Sequence, residues 1–393
     1  MSATPPRTVD PLDPLALTTQ LDDTERALAQ TVRQFVTERF LPQVADWYEH
    51  GIFDPALAKE LGALGLLGLH LEGYGCGGGS AVAYGVACAE LEAGDSGLRS
   101  FASVQGSLAM FAIHRWGSEE QKNDYLPRMA AGELIGCFGL TEADSGSDPG
   151  AMRTTARRDG DDWILDGSKM WITNGSIADV AVVWARTDEG VRGFLVDRGT
   201  PGFTTNTLHR KMSLRASVTA ELVLDGVRLP ERARLPLARS LAGPLSCLNE
   251  ARFGILWGAT GAARACYEAA LSYTSTRTQF GRPLAGFQLT QQKLATMALE
   301  IGKGQLLALH LGRLKDVQGL APAQVSMGKL ANTVMASDVA RTARGMLGAN
   351  GISLEYPVIR HMMNLESVLT YEGTAEIHAL SIGQALTGHR AFT

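Results

Sequence analysis

Glu372 stands in the run Tyr371-Glu372-Gly373-Thr374, where the neighbouring glycine lets a substrate come close to the backbone. A carboxylate so placed becomes a useful base if burial raises its pKa toward working pH. Read alone, it is a helix-start acid that complements the helix dipole. What separates the two readings is the company the residue keeps elsewhere in the chain.

Three further segments supply that company. Cys137-Phe138-Gly139-Leu140-Thr141-Glu142 runs on into Ala143-Asp144-Ser145-Gly146-Ser147-Asp148. Its small and hydroxyl residues offer N–H and O–H donors to an anion or to the edge of a heteroaromatic ring. Without context it is a Ser/Gly/Asp turn. Lys169-Met170-Trp171-Ile172-Thr173-Asn174-Gly175 reads as a strand ending at an Asn-Gly turn. Residues two apart on a strand share a face, so Trp171 and Thr173 set an aromatic wall beside a hydroxyl donor. That pairing suits a flat, polar-edged ring such as a flavin. Arg277-Thr278-Gln279-Phe280-Gly281-Arg282-Pro283, followed by Phe287 and Gln288, sits at a helix end. An arginine there complements the helix dipole, or pairs with a pyrophosphate.

The elements that must hold these segments fall into three zones. From Asp23 to about Cys137 the period is helical: Leu28, Val32, Phe35, Val36 and Phe40 recur at helical spacing until Pro42 interrupts. The glycines from Gly73 to Gly79 form a loop with no GK[ST] behind it, so no phosphate loop is expected. Val82 to Leu91 is a second helical run, leading into a polar turn at Asp95-Ser96-Gly97. Between about Phe138 and Ala238 the period becomes two, with Asp-Gly pairs at 159-160, 166-167 and 225-226 as hairpin signals. No helices alternate with these strands and no Gly-x-Gly-x-x-Gly turn occurs, so an antiparallel sandwich or barrel is expected instead of a parallel nucleotide-binding sheet. Beyond Leu241 four long helices are expected at 245–276, 290–316, 322–347 and 374–386, with breaks at 281–283, 319–322 and 348–357, as in a bundle. The fold class is therefore α+β: an arm at 1–20, a helical domain at 21–137, a β domain at 138–240 and a helical bundle at 241–393.

Composition narrows the partners. The chain has 393 residues, 45% hydrophobic and 20% charged, which is a globular composition with room for two or three domains. A net charge of -5 gives no reason to expect nucleic acid. No run reaches the roughly 18–20 apolar residues of a membrane span. Met1 to Thr19, with Pro5, Pro6, Pro11 and Pro14, lacks both a secretory and a transit pattern and reads as a loose arm. The five cysteines are scattered, with no CxxC pair and no zinc spacing, so buried reduced thiols, no metal and a cytoplasmic setting are expected.

The four motifs together, in this order and at these separations, resemble the acyl-CoA dehydrogenase family from about Leu21 to Phe392. The resemblance implies an N-terminal helical domain, a middle β domain and a C-terminal four-helix bundle, usually assembled as a homotetramer. It also implies FAD as cofactor, an acyl-CoA substrate, an electron-transferring flavoprotein as acceptor and Glu372 as catalytic base. Phe138, Leu140, Thr141, Gly146 and Ser147 would line the flavin and the start of the CoA arm, with Trp171, Ile172 and Thr173 against the isoalloxazine. Arg277, Phe280, Gln288, Gly345, Gly348, Ala349 and Thr374 would hold the rest of the cofactor, some of them across a subunit boundary. Ala349 departs from the glycine common in the family at that place.

Within the family the sequence is similar to the glutaryl-CoA dehydrogenase branch over 95–105, 213–217, 248–252 and 361–366. A dicarboxylic substrate brings a distal anion that must be paired when desolvated. The branch resemblance makes Arg99 its clamp, with Ser100, Glu92, Ser147, Asn249, Arg252, Tyr371 and Gly373 on the substrate side. Oxidative decarboxylation of glutaryl-CoA to crotonyl-CoA is the reaction this implies. The alternatives are a dehydrogenase for another short acyl-CoA, an oxidase, and a non-enzymatic flavoprotein on the same fold.

Overall fold

The computed structural model describes residues 9–392; Pro5 and Pro6 of the expected arm lie outside them. The lead-in from residue 9 is held at several points. The Asp13 carboxylate accepts from the Leu17 and Thr18 N–H groups, and the Tyr267 hydroxyl donates to the Pro11 carbonyl.

Helices α1 (Asp23–Phe35), α2 (Leu41–His50), α3 (Leu57–Ala63), α4 (Ala81–Gly94), α5 (Ser96–Ser103), α6 (Phe111–Trp116) and α7 (Glu119–Ala130) come first. Pro42 does not end the first helical run. A π-turn at Val36–Phe40 joins α1 to α2, and Pro42 falls in the opening turn of α2, where a missing N–H costs little. The polar Asp95-Ser96-Gly97 is not a surface turn. Asp95 is the buried N-cap of α5, accepting from the Gly97 N–H at 2.6 Å.

Seven strands follow: β1 (Gly136–Gly139), β2 (Thr155–Asp159), β3 (Asp162–Thr173), β4 (Val180–Thr187), β5 (Gly190–Asp197), β6 (Phe203–Thr207) and β7 (Thr219–Pro230). Their order is β1-β4-β2-β3-β7-β6, with β5 also on β4. The sheet is mainly antiparallel, but β1 runs parallel to β4 and β2 touches β4 in parallel at one pair. Of the three Asp-Gly pairs only 159-160 makes a hairpin turn. The other two lie inside β3 and β7, where the register shifts near Gly167 and the Gly226 N–H donates to Asp166. β4 is buried on both faces, with Val180, Val182 and Trp184 packed toward the helices and Ala181, Val183 and Ala185 toward β5 and β7.

The C-terminal third holds α8 (Ala242–Thr276), the short strands β8 (Thr278–Gln279) and β9 (Arg282–Pro283), α9 (Gln288–Gln318), α10 (Pro322–Met346), α11 (Pro357–Thr370) and α12 (Ala375–Thr387). The sequence suggests no helix at 357–370. Pro357 reads as a break, yet it opens α11 at its first position. α8 is buried continuously from Phe253 to Ala263, because α4, α9, α10 and α11 all pack on it. All five thiols are free and four are buried. Among the described residues no helix is long and apolar enough to cross a membrane.

Candidate active site

Glu372 sits in the short connection 371–374 between α11 and α12, at φ 54°, followed by Gly373 at φ 102°. A left-handed backbone is uncommon for a residue with a side chain and persists only where neighbours hold it. Here three carbonyls in a row are gripped. Arg252 of α8 donates through Nε to the Glu372 carbonyl at 2.6 Å. Lys329 of α10 donates to the carbonyls on either side, those of Tyr371 and of Gly373. Thr374 then caps α12, its hydroxyl accepting from the Ile377 N–H. The Glu372 Oε2 atom is buried and has no hydrogen-bond partner among the described residues. Burial pushes the carboxyl up, opposed by the charges of Arg99, Lys329 and Arg252. His378 of α12 stands beside Gly373, kept neutral by burial at about 3, with its Nδ1 on the Ser326 hydroxyl.

Arg99 is no solvated cation. Only 1% of its surface is exposed, and its Nε lies 2.6 Å from Glu92, itself fully buried. Burial alone would lower its pKa, but the Glu92 charge overrides that and holds it well up. A terminal nitrogen of Arg99 donates to the Tyr371 hydroxyl, which also lies 3.2 Å from the Ser100 hydroxyl. Glu92, Arg99, Ser100 and Tyr371 therefore form one buried group that reaches Glu372 through the adjacent residue. Asn249 of α8 stands on the other side of the loop, accepting from Arg252 at 3.2 Å.

Gly258, which sequence reasoning misses, makes room for this group. A Cβ there would overlap Glu92 Oε2 and stand 3.2 Å from Arg99 Nε. Gly258→Ala is expected to destabilise the fold by about 1–3 kcal/mol through overpacking, read as a lowered thermal midpoint. An unchanged midpoint would show that the ion pair can slide aside.

The second half of the site is the sheet edge. Trp171 has φ 64°, lies in a register shift between β3 and β7, and leaves 62% of its surface exposed. Thr173, just past the shift, is half-buried and pairs with Thr219 of β7. Ile172 points the other way, into the sheet core against β7, so only its backbone is left to meet a ligand. The Thr141 carbonyl accepts from the Met170 N–H, which docks the 141–148 loop beside Trp171. Gly146 and Ser147 are exposed, and Gly146 has open space around it. Phe138 and Leu140 are buried, the Phe138 ring 6.0 Å from Trp184.

A buried lysine that sequence reasoning also misses stiffens this loop. Lys169 donates to Glu142 at 2.7 Å and to the Leu140 carbonyl at 3.1 Å. Burial brings its ammonium down to about 8 against the pull of Glu142. Glu142 accepts in addition from the Arg153 and Thr154 N–H groups. Burial raises its carboxyl, yet these donors win and hold it at about 2. An exposed indole standing off a stiffened, donor-rich loop is a fitting seat for a planar, polar-edged ring.

The remaining cofactor candidates stand apart from this centre. Arg277, Phe280 and Gln288 lie on the β8–β9 hairpin and the start of α9, all exposed, with Phe280 at 93%. Gly345, Gly348 and Ala349 are exposed at the end of α10, and Asn350 ties that loop to Tyr273 of α8. Among the described residues no hydrogen bond or ion pair joins either group to the Glu372 loop.

Comparison with known proteins matches three descriptions in turn: acyl-CoA dehydrogenase N-terminal domain over residues 22–133, middle domain over 137–227 and C-terminal domain over 243–387. A crystal structure of a glutaryl-CoA dehydrogenase from Mycobacterium smegmatis, in complex with FADH2, is 63% identical, with a TM-score of 0.97, covering 98% of this chain and 100% of that one. The mitochondrial short-chain specific acyl-CoA dehydrogenase of Homo sapiens is 35% identical over 98% of this chain and 96% of its own length. A glutaryl-CoA dehydrogenase of Desulfococcus multivorans is 35% identical over 92% of this chain and 96% of its own length. Matched along nearly its whole length, the chain belongs to the acyl-CoA dehydrogenase family.

Proposed function

We propose that this protein oxidises glutaryl-CoA and decarboxylates the product to crotonyl-CoA and carbon dioxide, with FAD as cofactor. The observation that carries the reading is the juxtaposition of an unpartnered, buried Glu372 oxygen with the buried Glu92–Arg99–Tyr371 group. The first suits proton abstraction next to a thioester. The second suits a distal carboxylate, because an arginine has five N–H donors and Glu92 and Tyr371 engage only part of them.

Glu372 removes the α-proton of the thioester, and its own N–H, which has no acceptor among the described residues, is available to the thioester oxygen. Bound flavin, held by Trp171, Thr173 and the 141–148 loop, supplies the hydride acceptor for the β-carbon. Arg99 and Ser100 orient the distal carboxylate. Its bond to the γ-carbon breaks, carbon dioxide leaves, and the electron pair spreads into the enoyl thioester as a dienolate. Glu372, carrying the abstracted proton, returns it to give crotonyl-CoA.

The chain is proposed to act as a homotetramer, which the exposure of Phe280, Leu289 and Trp171 supports. An electron-transferring flavoprotein is the proposed acceptor. Free thiols throughout fit a reducing, cytoplasmic compartment.

Anaerobic mixing with glutaryl-CoA tests the reading. Flavin bleaching with release of one carbon dioxide per flavin is expected, and slower bleaching with butyryl-CoA. Bleaching by butyryl-CoA alone would overturn the substrate, and a purified protein that takes up no FAD would overturn the enzyme.

A further inference from the structure

Lys329 has no part in the chemistry above, and its environment is unusual. It lies inside α10 with none of its surface exposed, and among the described residues it makes no direct ion pair, the Glu372 carboxylate acting on its ammonium only from a distance. A buried ammonium without a counter-ion is costly unless strong acceptors replace its water. The acceptors it has are the carbonyls of Tyr371 and Gly373, at 2.6 Å for the latter. Both belong to the loop that bears the base, and they flank it. A lysine serving the bundle core would find its acceptors on the bundle helices. This one spends two donors on the carbonyls of the residues that flank the left-handed Glu372.

We propose, building on the reading of Glu372 as base, that Lys329 is a positioning residue. By holding the Tyr371 carbonyl it fixes the peptide plane that carries the Glu372 N–H, and by holding the Gly373 carbonyl it anchors the far side of the turn from which the carboxylate is aimed. Arg252 secures the carbonyl between them, so the loop is set from two helices at once. The charges facing the carboxylate are Lys329 from α10, Arg252 from α8 and Arg99 from α5; Glu92 of α4 offsets Arg99, and His378 of α12 is neutral. Arg252 and Arg99 favour the ionised base at every working pH, and Lys329 does so below about 7, the value to which burial brings its ammonium against the pull of Glu372. Loss of the ammonium therefore moves the acid limb of flavin reduction to higher pH, whereas a purely structural filler would leave that limb in place.

The test uses the flavin-loaded, full-length protein. Lys329→Met preserves volume and removes both charge and donors; Lys329→Gln keeps an N–H donor without charge. With glutaryl-CoA, Lys329→Met is expected to lower the limiting rate of flavin reduction roughly 10- to 100-fold, as small misplacements of catalytic groups do, with the acid limb displaced upward. Lys329→Gln should recover part of the rate but keep the displaced limb. In Lys329→Ala, added propylammonium should restore rate where propanol does not. Unchanged rate and limb in Lys329→Met, or equal rescue by the alcohol, would overturn the proposal. So would failure of both Lys329→Met and Lys329→Gln to load flavin, which would assign the residue to the bundle core. A wild-type protein that bleaches with no acyl-CoA would instead reject the underlying function, so the two failures are distinct.

Discussion

Glu372→Gln yields a protein that still binds flavin but reduces it with glutaryl-CoA roughly 10²–10⁴-fold more slowly, the range that loss of a general base produces. The amide fills the same space, and the loop keeps its grip, because Arg252 and Lys329 hold carbonyls and not the side chain. The pH dependence sharpens the expectation. Burial raises the Glu372 pKa above the ordinary carboxylate range, so wild-type reduction falls as pH drops through that raised value. The glutamine variant has no such limb. Stability moves the opposite way. An acid whose folded pKa is raised contributes stability below its unfolded pKa and loses it as pH rises through the folded one. Removing the acid removes that penalty, so the variant should melt no lower than wild type above neutral pH. Stopped-flow reduction and thermal melts across pH check both parts; wild-type rates in the variant would end the assignment of Glu372 as base.

The second large effect is at Arg99. Arg99→Met strands Glu92 as a buried, unpaired carboxylate, which costs about 3–5 kcal/mol when one partner of a buried pair is deleted. Specificity should fall with it: kcat/KM for glutaryl-CoA drops steeply, while butyryl-CoA, with no distal charge, is affected far less. The double variant Arg99→Met with Glu92→Gln separates the two consequences. It should regain much of the stability, because no charge is left unpaired, and none of the preference for the dicarboxylate. Equal losses for both substrates in the double variant would show that Arg99 serves the fold alone.

These residues were legible to very different degrees, and the reason is where their partners lie. Trp171 and Thr173 announce themselves within one strand, and the 371–374 run within one loop. Arg99 read by itself is a surface cation; only its surrounding segment marks it. Lys329 gives no local signal, since a lysine among Val325, Ser326 and Thr333 looks like the polar face of a helix until α8 and the Glu372 loop pack over it. Lys169 is hidden in the same way, its acid partner lying 27 residues upstream. Gly258 is invisible because what it avoids comes from α4. Local rules also misled at particular points. Pro357 reads as a break but starts α11, and two Asp-Gly pairs read as hairpin turns but sit mid-strand in β3 and β7.

Helix α8 touches both ends of the chemistry. Within it, Arg252 holds the Glu372 carbonyl, Gly258 clears space for Glu92, and Arg264 pairs with Glu90 at 2.6 Å. A helix turns roughly 100° per residue, so inserting or deleting one residue between 252 and 264 would swing one of these contacts away from its partner. Away from these three positions a substitution on α8 leaves their register intact, whereas a change of length between them does not.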